Sequence, residues 1–221
     1  LEFIKGASLQ TFDFTDLKDL FMFYTIEGID GAGCGVVRRA LEKKLTEANI
    51  AFETLKYPVP VLPFGRDIYD FLDSKIEMTN ETQFIAFIGQ MVAEKARIKQ
   101  LRKKVLIVDR YLPCTLVFQG AQGFPVKTGL AMAKLFELEK PDRIFYLQLP
   151  WKVAYDRKAN EAKGGDRNEK NKPLFSKTAK LYDELFEKKL FSRWTKIDAT
   201  QTPEQEAEDI LKIIKKDIRK K

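Results

Sequence analysis

Five short runs rich in apolar, aromatic and β-branched residues punctuate the chain: Phe21–Ile26, Ile50–Lys56, Val105–Val108, Arg143–Leu149 and Trp194–Ile197. Unbroken apolarity, as in the VLIV of Val105–Val108, marks a strand buried on both faces. The stretches between them follow a helical period instead. Val36–Glu47 spaces Val37, Ala40, Leu41 and Leu45 along one face, and Thr79–Leu101 does the same with Phe84, Phe87, Ile88 and Met91. Helices are also expected over Phe64–Leu72, Lys127–Leu138, Trp151–Ala162, Pro173–Lys189 and Pro203–Arg219, the last with a proline suited to its first turn. Tyr57-Pro58, Pro60 and Pro63 mark a stiff loop, and the charged stretch Lys163–Lys172, with Gly164-Gly165, reads as a mobile one. Alternation of strand and helix predicts a three-layer α/β fold around a five-stranded parallel sheet. Ligands of such sheets lie at the carboxyl ends of the strands.

Composition narrows the chemistry. The 221 residues suit one domain, and 44% hydrophobic content supplies a full core. Histidine is absent, which removes histidine bases, Ser-His-Asp and Cys-His nucleophile systems and His-ligated zinc. Two cysteines, Cys34 and Cys114, are too few for a disulfide scaffold and fit a reducing, cytoplasmic setting. No apolar run approaches the roughly 20 residues of a membrane helix. The 39 Lys+Arg against 32 Asp+Glu leave a net charge of +7, which favours an anionic partner. Much of that excess is a basic last helix, and no interleaving of aromatic and basic residues points to nucleic acid. Residues 1–21 lack a signal-peptide pattern and read as an extension ahead of a single domain over 22–221, with a short helix possible over Thr15–Leu20.

Six motifs fall at strand ends. Glu27-Gly28-Ile29-Asp30-Gly31-Ala32-Gly33 joins a strand to a helix, where glycines let backbone N–H groups form a nest for phosphate. Gly28 and Gly33 have the phosphate-loop spacing G-x-x-x-x-G-K-[ST]. The lysine position is Cys34, however; against kinases that write this end G-K-G-T, Gly35 matches the glycine, and Cys34 and Val36 replace lysine and threonine. Val105–Tyr111 ends in Asp109-Arg110, a carboxylate able to orient magnesium beside a guanidinium able to grip phosphate. Leu55-Lys56-Tyr57-Pro58, Val117–Gly120, Asp166–Glu169 and Ile197-Asp198-Ala199 complete the set. Singly, each also reads as ordinary structure: a glycine-rich turn, a capping pair, or, for Phe87, core packing.

In this order and spacing, from about Met22 to Ile218, the motifs resemble the thymidylate kinase family, nucleoside-monophosphate kinases with a P-loop fold. The resemblance implies transfer of the γ-phosphoryl group of ATP to dTMP, giving dTDP and ADP, with Mg2+. By the same resemblance Gly28, Ile29, Asp30, Gly31, Ala32, Gly33, Cys34, Gly35 and Val36 wrap the ATP phosphates, and Asp198 and Ala199 border the adenine. Asp109 holds the metal and Arg110 the acceptor phosphate. Asp30, Lys56, Phe87, Thr115 and Gln119 join Arg110 around dTMP. A lid at about 157–172 brings Arg157, Lys163 and Arg167 as the charge that Gly31 does not supply. Family members form dimers through helices near the second and third strands, and Thr79–Leu101 is the candidate face for a homodimer.

The chain departs from the family pattern at defined places. Cys34 and Val36 remove the lysine cation and a magnesium-ligating hydroxyl, and Arg38, one turn on, is expected to face solvent. Met91 stands where an arginine usually contacts the base, Cys114 replaces a usual serine, and Lys56 replaces an arginine. Three readings stay open at this level: a thymidylate kinase, an impaired relative that binds nucleotide, and a kinase for another nucleoside monophosphate.

Overall fold

The computed structural model describes residues 22–101, 104–160 and 166–220. The extension over residues 1–21, with the helix at Thr15–Leu20, and the lid residues Lys163, Gly164 and Gly165 lie outside the described residues.

Five strands, β1 (Met22–Glu27), β2 (Phe52–Lys56), β3 (Val105–Asp109), β4 (Arg143–Gln148) and β5 (Trp194–Asp198), form one sheet in the order β2-β3-β1-β4-β5. Every pairing is parallel, as expected from the alternating pattern. β1 and β3 occupy the centre, so all their side chains are buried, which accounts for their continuous apolarity. Ile26 pairs with Asp109, which in turn pairs with Lys56. Glu27, Asp109 and Lys56 therefore emerge together at the carboxyl edge.

Eight helices are described: α1 (Cys34–Glu47), α2 (Gly65–Leu72), α3 (Asn80–Gln100), α4 (Leu112–Ala121), α5 (Val126–Leu135), α6 (Trp151–Ala159), α7 (Lys172–Glu187) and α8 (Pro203–Ile218). α1 packs along α8 on one side, and α4 packs against α3 and α7. The end of α8 is fastened to β4 by a two-pronged ion pair, Arg143 Nε to Asp217 Oδ2 at 2.9 Å and Nη2 to Oδ1 at 2.7 Å. Lys44 and Glu208, 2.7 Å apart, tie α1 to α8 at the surface.

Helix α4 is the element that periodicity does not show. Seven of its ten residues are buried, among them Leu112, Leu116, Val117 and Phe118, because neighbours cover it on several sides. An apolar run without a polar face has no 3.6-residue signature. Its start is nonetheless written in the chain, with Pro113 in the first turn. The Val117–Gly120 motif belongs to this helix rather than to a strand end.

Candidate active site

Between β1 and α1 the chain makes a tight loop around two left-handed glycines, Gly31 (φ 81°) and Gly33 (φ 93°). Gly33 caps α1 with its carbonyl, which accepts from Val36 N–H at 2.9 Å and Val37 N–H at 3.0 Å. No acidic residue occupies the first turn of this 14-residue helix, so its N-terminal field is uncompensated by the protein. Such a turn is a receptor for anions. A side chain at Gly31 has no space: its Cβ would stand 2.4 Å from the Ala154 carbonyl oxygen of α6. Loop and lid helix are in contact.

Cys34 is 4% exposed, and burial pushes its thiol up well above the ordinary range, so it is a neutral group. Val36 is exposed at the cleft. Arg38 does not face solvent as expected. Its side chain is 18% exposed, with Nε 3.6 Å from Asp109 Oδ2 and Nη1 bonded to Glu42. The pull of the Asp109 carboxylate outweighs hydration of a group one helical turn away.

Asp109 ends β3 beside the loop. Its Oδ2 is buried, accepts no hydrogen bond among the described residues, and lies 3.4 Å from the point where a Cβ on Gly35 would stand. Arg110 follows in a left-handed conformation (φ 67°), a strained state for a non-glycine residue that is characteristic of working sites. The strain aims its guanidinium across the loop. Nη2 pairs with Asp30 Oδ1 at 2.6 Å, and Nη1 donates to Gly28 O and Cys114 Sγ, both at 3.2 Å. Burial raises the Asp30 carboxyl and Arg110 opposes that shift.

Below them Glu27 is fully buried, accepting from Tyr111 N–H at 2.8 Å and from the Tyr182 hydroxyl at 3.4 Å. Burial pushes it up to about 8, against the pull of Arg110. A carboxyl whose folded pKa exceeds its unfolded value contributes stability that is complete below the unfolded pKa and is lost as pH rises through the folded one. Between about pH 5 and pH 8, Glu27 is therefore expected to erode stability by up to about 1.4 kcal/mol per pH unit. Glu27→Gln keeps an acceptor and removes the titration. Thermal unfolding across that range should show a flatter profile for the variant, and parallel profiles would show that Glu27 is ionised in the fold.

A continuous cleft of about 600 Å3 runs from the glycine loop past Asp109 and Arg110 to Lys56, Phe87, Thr115 and Gln119. Phe87 faces this cleft, whereas Phe84 on the same helix is core, stacked on Phe124 at 4.3 Å. Gln119 donates through Nε2 to Gln83 Oε1 at 3.3 Å, and its own Oε1 is buried and unpartnered among the described residues. Met91 is 1% exposed in the core and does not line the cleft.

On the lid side Arg157 reaches the loop, with Nη1 on Gly31 O at 3.3 Å and Nη2 on Ala199 O at 3.2 Å. Asp166, Asn168 and Glu169 also line the cleft, and Lys158 pairs with Glu169 at 2.8 Å. Burial pushes Asp166 up to about 6. Arg167 is not brought to the cleft. It pairs with Glu77 and lies over the Phe71 ring at 4.5 Å, docking the lid segment onto the α2–α3 connection. Asp198 and Ala199 are also set back from the cleft. The Asp198 carboxylate accepts from Thr200 N–H at 2.9 Å and holds the turn, while Gln201, Pro203 and Glu206 present themselves instead. Gly28 and Ile29 lie beneath the loop, buried. Sequence reasoning missed Arg39, Tyr69 and Glu206, all of which line the cleft. Only Tyr69 carried a signal, as a large aromatic off the buried Ile68/Phe71 face of α2.

A family model described as thymidylate kinase matches residues 26–210. A thymidylate kinase of Leptospira interrogans is 26% identical over 209 residues, spanning 90% of this chain and 97% of its own. One from Mesoplasma florum is 28% identical over 205 residues, covering 87% and 94% respectively. One from Danio rerio is 27% identical over 188 residues, covering 84% and 85%.

Proposed function

This chain belongs to the thymidylate kinase family, and on that premise we propose that its cleft transfers the γ-phosphoryl group of ATP to dTMP. The observation that carries the reading is the single cleft joining an anion-binding glycine loop to a pocket bordered by Phe87 and Gln119, with Arg110 at the junction. Phosphoryl transfer asks a protein for positioning and charge rather than covalent chemistry, so a histidine-free site suffices.

Each half of the cleft has a defined task. The N–H groups of the loop and the start of α1 hold the donor phosphates. Arg110 and Lys56 neutralise the acceptor phosphate from the opposite side, with Asp30 fixing the Arg110 fork. Phe87 offers a ring face to the base. The unpartnered Gln119 Oε1 offers an acceptor, which suits the N–H of a thymine ring. Arg157, anchored on the loop backbone, adds charge from the lid side and limits access of water.

The residues present fit a phosphate-bound Mg2+. Among the described residues no cluster of three or more ligands gathers, and such an ion needs only one or two carboxylates beside phosphate and water. Asp109, whose buried Oδ2 accepts no hydrogen bond among the described residues and has Arg38 Nε 3.6 Å away, would hold it directly or through water. The ion neutralises charge on the transferring group when bound.

The same reading treats residues 22–221 as one domain with a lid at about 157–172, placed in the cytoplasm. Its free thiols Cys34 and Cys114 support that setting. Among the described residues no helix is long and apolar enough to cross a membrane. A homodimer through α3 is supported by Ile85 and Val92, exposed two turns apart on that helix. Light scattering on the purified chain tests it, and a monomer at micromolar concentration would reject it.

The test of the activity is ADP formation with ATP, Mg2+ and each nucleoside monophosphate in turn. We expect turnover highest with dTMP. A second reading, nucleotide binding without transfer, is favoured by the neutral buried Cys34. ATP binding without ADP formation from any acceptor would establish it.

A further inference from the structure

We propose that Arg39 supplies the cation that the glycine loop lacks at Cys34, gripping the terminal phosphates of the donor through its guanidinium. The inference rests on the kinase reading above and extends it to a residue outside the motifs.

A loop of N–H groups offers only partial charges to a donor carrying several full ones, so the site calls for a mobile or uncommitted cation. Most nearby cations are already engaged. Arg38 is tied to Glu42 and Asp109, Arg110 to Asp30, and Lys158 to Glu169. Arg157 is spent on two backbone carbonyls. Arg39 lines the cleft, is exposed, and makes no ion pair or hydrogen bond among the described residues.

Its placement follows from helix geometry. Side chains lean toward the N-terminus, so a residue at position 39 covers position 35 on the same face. Arg39 Nη1 accordingly lies 3.7 Å from the point where a Cβ on Gly35 would stand. Gly35 has an ordinary helical φ, so its backbone has no need of glycine. What its missing side chain provides is clearance. A serine or threonine there would fill the space between the Arg39 guanidinium and Asp109 Oδ2, which lies 3.4 Å from the same point. The clearance at Gly35, the neutral thiol at Cys34 and a guanidinium without a partner among the described residues form one arrangement. A guanidinium takes two phosphate oxygens through a planar, pre-organised fork, a geometry that a lysine ammonium lacks.

The test compares the full chain with Arg39→Gln, Arg39→Lys and the double variant Arg39→Gln with Cys34→Lys. Titrations of ATP, ADP, AMP and dTMP are read by calorimetry, beside turnover and thermal midpoint. We expect Arg39→Gln to weaken ATP at least about tenfold, or about 1.4 kcal/mol. ADP should weaken less, and AMP and dTMP should change by less than about twofold, with the midpoint preserved. Arg39→Lys should recover part of the loss, and Cys34→Lys should rescue Arg39→Gln. Unchanged ATP affinity in Arg39→Gln, or equal losses for AMP and ATP, would overturn the proposal. If the natural chain forms no ADP with any acceptor, the kinase reading fails, while the ATP and AMP titrations still decide the role of Arg39.

Discussion

Replacing Arg110 with alanine is expected to weaken dTMP binding at least about a hundredfold while ATP affinity changes by less than about threefold. Charged hydrogen bonds contribute roughly 1.5–3 kcal/mol each, and about 1.4 kcal/mol is a factor of ten. Arg110 offers more than one such bond to an acceptor phosphate. Its removal also strands Asp30, whose carboxylate oxygen it holds at 2.6 Å, leaving a buried carboxyl without its cation beside the acceptor site. On the proposed reading the donor phosphates are held by the loop N–H groups and the start of α1, and the fork serves the acceptor phosphate. Separate titrations of the two ligands decide the matter, and comparable losses for both would show that Arg110 serves the cleft as a whole. Because the backbone here is left-handed, Arg110→Gly is the companion variant. It removes the same side chain and relaxes the strain, so agreement between the two isolates the guanidinium from the backbone.

Gly31→Val should be as severe for the donor. A β-branched residue at φ 81° is an outlier on its own, and its Cβ would meet the Ala154 carbonyl oxygen at 2.4 Å. The oxygen belongs to the backbone of α6 and cannot swing away. Either the loop loses its nest or α6 retreats and carries Arg157 off Gly31. We expect ATP affinity to fall at least about a hundredfold, with a thermal midpoint lowered by several degrees for the roughly 1–3 kcal/mol that such strain costs. Gly31→Ala should show the same direction at smaller size. Normal ATP binding by the alanine variant would mean that loop and lid helix part readily in solution.

The sheet was legible in the chain because β1 and β3 are buried on both faces, and burial writes itself as unbroken apolarity. Helix α4 was not, since a helix covered on several sides has no polar face to set a period. The glycine loop and Asp109-Arg110 were legible because their chemistry depends on residue type at a strand end. The direction of long cationic side chains was not. Arg38 and Arg39 are neighbours of identical type, yet one turns to Asp109 and the other stands open over Gly35. Locally only Glu42, one turn on from Arg38, separates them; the carboxylate that draws Arg38 toward the site arrives from β3, far along the chain. Arg167 makes the same point, captured by Glu77 from another element.

The clasp between Arg143 and Asp217 bears on how the protein comes into being on a ribosome. α1, which anchors the donor loop, is made early, but the helix that backs it, α8, is made after all five strands, and its end is clasped when Asp217 meets Arg143. A nascent chain that has already emerged through β4 still has its phosphate loop unsupported on one side. Nucleotide capture is therefore expected to wait on α8, and chains terminated before α8 should bind ATP far more weakly than the full chain.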